Sequence, residues 1–298
     1  MYTRRVLVLT LFALPLVLVV PAAALAQIDL GDIAAGGNGT GTADPAMIGI
    51  NPDTGLIEAA FIDAPIAISD GQGLAPVADA TSPYIDAVFL INAAQMSINS
   101  AGVKFTFPPE DLLDPPQCWG QILNARIGGE TTQPIAIGSE TFNQGVGIHA
   151  VAGITYDLGA LRTAHGASAV RRVRAFAGMG NSRFDLHPQP PGSVTVYLIL
   201  SNDTGILGMA SHRASTDDNE TRGKLLNLEI PDAAKYLTLA SGAGNGQFNY
   251  NSGSFGGAFI TPELNQVPIL SGWGVAVVLL GLFTVGVTVL RRRRAALA

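Results

Sequence analysis

The chain has 298 residues, a net charge of −6 and a single cysteine, Cys118. Six of its 17 basic residues lie at the two ends, so the rest of the chain has 11 basic against 23 acidic residues and a net charge of −12. This charge argues against binding to nucleic acid or anionic lipid through bulk electrostatics. One cysteine excludes an intramolecular disulfide and a CxxC site, and we expect Cys118 to be a buried small residue.

Residues 1–26 have the layout of a secretory signal peptide. Two arginines precede the apolar run Val6–Val20, and Ala-Leu-Ala at 24–26 forms an A-x-A cleavage site. A membrane-spanning helix is the less favoured interpretation, because small residues and Pro21 close the run. We therefore expect export, with cleavage before Gln27.

Residues 27–130 form a predicted β-rich N-terminal region, which starts with glycine-rich, turn-forming sequence. Prolines bound a connector at 108–120, where we expect Trp119 to pack on the core rather than on a ligand. A boundary near 128–133 separates this region from a second one at 131–262. The pattern leaves open whether the two regions fold separately.

Between the two termini the sequence predicts an all-β sandwich, because short runs rich in Val, Ile, Thr, Tyr and Phe alternate with turn residues. No segment shows a sustained helical period. In 193–200, Val194, Val196 and Leu198 occupy alternate positions, which predicts a half-buried strand. The predicted strands are 84–91, 102–107, 153–161, 170–179, 193–200, 225–230, 235–242 and 256–260.

The segment 145–160, GVGIHAVAGITYDLGA, carries a family resemblance. In order and spacing it resembles the NPCBM family of carbohydrate-binding modules, and the resemblance extends over about residues 131–262. It implies a galactose-binding-like jelly-roll β-sandwich that binds sugar. The residues that carry it are Gly145, Gly147, His149, Tyr156, Asp157, Leu158 and Gly159.

Two residues of this segment have predicted local roles. We interpret YDLG as a strand ended by a glycine turn, which the Asp157 side chain pins. A structural role for His149, in which a buried imidazole satisfies loop carbonyls, is favoured over a ligand or catalytic role. No second His or Cys lies nearby in sequence.

An acidic cluster at 215–222 contains Asp217, Asp218 and Glu220, whose hard oxygen ligands suit calcium. The spacing of an EF-hand is absent, so a solvated acidic loop is the favoured alternative. Calcium is the one cofactor that the sequence suggests.

The candidate sugar site lies in 244–259, near the final strand, and consists of Asn249, Tyr250, Asn251 and Phe255. The aromatic rings would stack on a sugar, while the amides would bond its hydroxyl groups. Family members often carry Asp, His and Trp here, and this sequence departs from that pattern. The alternative is a surface loop whose aromatic residues only close the core.

The chain ends in a predicted transmembrane helix, because Gly272–Leu290 is uncharged, long enough to span a bilayer and followed by four arginines. The preceding residues resemble an IPTL-CTERM sorting signal. That resemblance covers 263–298 and implies a bacterial protein that an exosortase-like enzyme processes at the membrane. Four positions match the pattern of this signal: Pro268, Leu270, Ser271 and Trp273. Val267 and Ile269 depart mildly from it.

Together these patterns predict an exported protein of the cell surface or extracellular matrix that binds a glycan or polysaccharide. We expect the C-terminal helix to anchor this protein in the membrane at least transiently. A structural matrix or adhesion protein without a sugar site is the alternative. We expect no enzymatic activity, since motifs for nucleophilic, metalloprotease or P-loop chemistry are absent. A glycosidase is the least favoured class.

Overall fold

The computed structural model describes residues 27–262 except 45, 60–64, 68–73, 77–81, 114–116, 120–121, 125–133, 181–191, 216–221 and 245–251. The predicted signal peptide (1–26), the sorting motif (267–273) and the predicted transmembrane helix (272–290) lie outside the described residues. Within that part of the chain, no helix is long and apolar enough to cross a membrane.

Strands dominate the described residues, and helices are short. The helices are α1 (Leu30–Ala34) and α2 (Leu158–His165), with 3-10 turns at Pro109–Asp111 and Ala167–Ala169. The strands are β1 (Ile28–Asp29), β2 (Gly49–Ile50), β3 (Ile57–Glu58), β4 (Pro65–Ala67), β5 (Leu74–Pro76), β6 (Ile85–Leu90), β7 (Gln95–Ser97), β8 (Lys104–Thr106), β9 (Gln117–Trp119), β10 (Ile122–Asn124), β11 (Ile135–Ile137), β12 (Glu140–Phe142), β13 (Gly145–His149), β14 (Ala152–Asp157), β15 (Arg172–Met179), β16 (Ser193–Ser201), β17 (Ile206–Ser215), β18 (Gly223–Glu229), β19 (Tyr236–Gly242) and β20 (Ser252–Thr261).

Two antiparallel sheets form the body of the protein. Sheet I has the order β18-β15-β20-β13-β10-β2-β3, and β1 also pairs with β20. Sheet II has the order β17-β16-β19-β14-β6-β5, and the pairs β4-β9, β7-β8 and β11-β12 lie outside both sheets. The predicted all-β fold is confirmed.

The main core lies between the sheets, because each strand turns alternate side chains inward. On β14, Ile154 and Tyr156 are fully buried, and the Tyr156 hydroxyl donates to the Leu30 carbonyl oxygen at 3.0 Å. From sheet I, Val146 and Phe255 pack into the same core. Burying each such aliphatic or aromatic side chain contributes about 1.5–3 kcal/mol.

The outer face of sheet II is covered by the segment 91–113, which includes the hairpin β7-β8. The predicted strand at 193–200 is present as β16, but its predicted half-burial is wrong, since Tyr197 and Ile199 are buried on its second face. The hydrophobic cluster beneath this cover contains Phe89, Ile91, Met96, Ile98, Phe105, Phe107, Leu113, Ala150, Val151, Tyr197, Ile199, Ala240 and Ala243.

The predicted boundary near 128–133 does not separate two cores. Strand β10 precedes it and pairs with β13, which follows it, through Leu123 and Gly147. Strand β6 pairs with β14 in the same way, through Val88 and Ile154. The N-terminal region therefore supplies strands to both sheets of one sandwich.

The segment 153–161 differs from its predicted form. The strand ends at Asp157, and α2 follows directly, where a glycine turn was expected. The Asp157 carboxylate accepts from Gly159 N at 2.7 Å and Ala160 N at 3.0 Å, so it caps the N-terminus of the helix. Leu158 and Leu161 bury one face of α2.

Candidate functional site

The described residues that border three segments of the chain lie at one end of the sandwich, which we call the loop end. Ser193, the first residue of β16, pairs with Ser215 and forms a bridge with Gly244. These residues border the segments 181–191, 216–221 and 245–251. The fold therefore brings the starting points of the acidic segment and of the predicted sugar-binding segment side by side.

Most of the predicted site residues belong to these segments. The predicted sugar contacts Asn249, Tyr250 and Asn251 lie outside the described residues. The same holds for the candidate calcium ligands Asp217, Asp218 and Glu220. Among the described residues, no group of three His, Cys, Asp or Glu side chains could hold a metal ion.

Phe255 does not belong to a binding surface. It is fully buried in β20, opposite Val146 of β13, and it packs into the core between the sheets. A ring without accessible surface cannot stack on a sugar. The prediction that Phe255 contacts a ligand is therefore wrong, because the pairing of β20 turns this side chain inward.

His149 ends β13 at the loop end, and its ring contacts a loop carbonyl as predicted. Its Nδ1 lies 2.6 Å from the Ala150 carbonyl oxygen, to which a neutral ring donates. Burial of the imidazole lowers the pKa of His149 to about 4, although the contact with Ala150 opposes the shift. Cys118 is buried, as predicted, and its thiol lies 3.4 Å from the His149 carbonyl oxygen.

Asp111 anchors the start of the 245–251 segment, a role that the sequence did not reveal. Its Oδ1 accepts from Gly244 N at 3.0 Å, and its backbone carbonyl accepts from Ala243 N at 3.1 Å. The Tyr197 hydroxyl donates to Asp111 Oδ2. Burial raises the pKa of Asp111 and that of Tyr197 above their usual values, and for Tyr197 the bond to Asp111 adds to the rise.

Close packing at the base of the same segment leaves no room for larger residues. Gly244 has a φ of 70°, and a Cβ at this position would lie 2.8 Å from Ser193 Oγ. A Cβ on Gly253, just after the segment, would lie 2.4 Å from Ser241 Oγ. Both ends of 245–251 are thus held tightly by the sandwich.

The chain matches no protein-family model and no curated protein. Among solved structures it is similar to the CBM51 module of a Clostridium perfringens GH95 protein in complex with methyl-galactose. The identity is 20%, the match covers 48% of this chain and 89% of that chain, and the TM-score is 0.38. Tandem CBM51 modules of a Streptococcus pneumoniae family 98 glycoside hydrolase match at 19% identity, over 48% of this chain and 41% of theirs, with a TM-score of 0.34.

A more distant similarity is to a CBM6 module of Clostridium stercorarium in complex with cellobiose. The identity is 14%, the match covers 43% of this chain and 79% of that chain, and the TM-score is 0.23. Similarity at these levels does not identify a ligand for this chain.

Proposed function

We propose that this protein is a non-enzymatic carbohydrate-binding protein whose sugar site is built on the loop end. The observation that carries the proposal is the anchoring of the 245–251 segment at both of its ends. Asp111 holds Gly244 on one side, and the pairing of Ser252 with His149 holds the other. Flanking residues that are already fixed on the sandwich do not have to be ordered when a ligand binds.

The side chains of this segment have the chemistry that a sugar requires. Tyr250 provides an aromatic face for the C–H groups of a pyranose ring, and Asn249 and Asn251 provide donors and acceptors for its hydroxyl groups. The resemblance of 145–160 to the NPCBM family supports the same proposal.

The location of the protein is part of this proposal. We propose that the chain is exported, processed by an exosortase-like enzyme and displayed at the bacterial surface or in the matrix. The signal-peptide pattern of 1–26 and the sorting pattern of 263–298 support it. Calcium bound by Asp217, Asp218 and Glu220 is part of the proposal, because Ser215 and Gly244, which precede the acidic and the sugar-binding segments, both pair with Ser193.

A glycan-array screen of the purified full-length protein, with calcium and then with chelator, tests the proposal. Binding that disappears in Tyr250→Ala and survives in Tyr236→Ala, at the opposite end of the sandwich, would place the sugar at the loop end. A loss of binding with chelator would assign the calcium site as well. A protein that binds no glycan under either condition would refute the proposal.

A structural matrix or adhesion role is the second candidate, and strand β17 favours it. This ten-residue strand ends sheet II and carries exposed apolar side chains: Ile206, Leu207 and Met209 are 41%, 42% and 48% exposed. Long apolar edge strands pair with other chains. If a second copy of the chain pairs with β17, light scattering would show a dimer, and the variant Met209→Lys would be a monomer. A concentration-independent monomer would exclude this contact.

A further inference from the structure

The outer faces of the two sheets differ in a way that the proposed loop-end site does not use. The outer face of sheet II is sealed by the segment 91–113. On the outer face of sheet I, Phe176 of β15 and Phe259 of β20 remain half-buried, and Leu225 beside Phe176 is 60% exposed. The hairpin β11-β12 packs on part of this face, where its half-buried Phe142 and Phe176 form a small cluster with Ile135 and Ile137. We call this surface the aromatic face, and its apolar members are Phe142, Phe176, Phe259 and Leu225.

Two of the rings lie against glycine residues at positions where a Cβ atom would not fit. The Phe142 and Phe176 rings are 5.6 Å apart between centroids and inclined by 26°. A Cβ on Gly256 would lie 2.2 Å from Phe142 Cδ2, and one on Gly223 would lie 2.3 Å from Phe176 Cε1. The glycines thus let both rings rest directly on the sheet, and neither ring can withdraw into it.

Polar side chains stand in register with the aromatic residues. Arg174 of β15 is exposed and lies between Phe259 of β20 and Asn227 of β18. Arg172, two residues earlier on the same face, donates from Nη1 to Asn227 Oδ1 at 3.3 Å. The face therefore combines aromatic rings with an amide and two guanidinium groups.

We propose that the aromatic face is a second carbohydrate-binding site, specific for a polysaccharide that carries carboxylate groups, such as a polyuronate. The inference rests on the proposed function, that the protein binds glycans, and adds a separate site and a ligand class. The C–H face of a pyranose packs on the phenylalanines, and Asn227 bonds its hydroxyl groups. The carboxylate binds Arg174.

The charge distribution favours an anionic polysaccharide as the ligand of the aromatic face. Outside its ends the chain carries a net charge of −12, so most of its surface repels an acidic polymer. On the aromatic face, Arg172 and Arg174 stand in register with one acidic residue, Glu229, opposite Arg172. An anionic glycan chain is therefore attracted to this face.

Isothermal titration of the full-length protein with an oligogalacturonate, and with a cello-oligosaccharide of equal length, tests the proposal. Arg174→Ala should weaken oligogalacturonate binding about tenfold, as expected for a lost charge-assisted hydrogen bond, and leave any cello-oligosaccharide binding unchanged. Arg213→Ala, an exposed arginine of β17 on sheet II, is the matched control and should bind as the wild type. Phe259→Leu keeps an apolar side chain of similar volume without the ring, and it should weaken binding of both sugars.

The outcomes separate this inference from the proposed function. If Arg174→Ala and Phe259→Leu bind oligogalacturonate as the wild type does, while Tyr250→Ala abolishes binding, the loop-end site stands and the aromatic face is refuted. Equal losses for both sugars in Arg174→Ala would refute the specificity for carboxylates. If the wild type binds neither sugar, the inference is refuted. The glycan-array screen then shows whether the proposed glycan binding is refuted as well.

Discussion

Acidification should destabilise this protein through His149, and the size of the effect follows from its pKa. Burial of the ring lowers the folded-state pKa of His149 from 6.5 to about 4. Above pH 6.5 the imidazole is neutral in both states, and its contribution to stability is fully present. As the pH falls from 6.5 towards 4, His149 is protonated in the unfolded chain but stays neutral in the folded protein, so stability is lost. At pH 5 the loss is about 2 kcal/mol.

The assay compares wild type with His149→Gln, which retains a donor but does not titrate. Urea unfolding followed by circular dichroism at pH 7.5 and pH 5 gives four free energies of unfolding. The wild type should lose about 2 kcal/mol more than the variant between the two pH values. The raised pKa of Asp111 acts with the opposite sign, but it is common to both proteins and cancels. An equal loss in both proteins would show that the imidazole is not held neutral by burial.

Four further variants, one of them the control Gly205→Ala, test the packing that the structure shows, each by urea unfolding. Asp157→Ala removes the N-cap of α2 and should cost about 1 kcal/mol. Gly153→Ala places a Cβ 2.2 Å from Phe89 Cζ and should cost about 1–3 kcal/mol, whereas Gly205→Ala, with no atom within 4 Å, should change stability by less than about 0.5 kcal/mol. Asp111→Ala leaves its buried hydrogen-bond donors without an acceptor and should cost about 2–4 kcal/mol.

These variants also serve as controls for one another. If Gly153→Ala proved as stable as Gly205→Ala, the Phe89 ring would not lie against β14 as the structure has it. If Asp111→Ala cost no more than Asp157→Ala, the carboxylate of Asp111 would not anchor the loop end. If Asp157→Ala caused no measurable loss of stability, the placement of α2 behind this N-cap would be contradicted.

One of the two strands that carry the family resemblance could be predicted from the sequence, because its signal is local. The predicted strand 153–161 contains most of β14, although it runs past the end of that strand at Asp157, whereas β13 was not among the predicted strands. Helix α2 was missed although its signal was present: Asp157 is a good N-cap residue, and Leu158 and Leu161 are spaced for one helix face. The glycine after Leu158 was interpreted as a turn instead.

Long-range contacts account for what the sequence could not show. Asp111 binds a backbone amide 133 residues away, and no local pattern marks such a pair. Strand β16 alternates as predicted, but the cover formed by 91–113 buries its second face as well. The presence of Tyr197 and Ile199 among the supposedly exposed positions was the only sign of this cover.

A single glycine decides which phenylalanine of β20 can meet a ligand. Phe255 and Phe259 are four residues apart, so strict alternation along a strand would place them on the same face. Gly257 has a φ of 56°, and the register of β20 against β15 shifts there, as in a β-bulge. The extra residue reverses the alternation, which turns Phe255 into the core and Phe259 onto the aromatic face. Phe255 was the one residue of β20 that the sequence predicted to contact a sugar, and the bulge instead places Phe259 on the aromatic face, where we propose that a sugar binds.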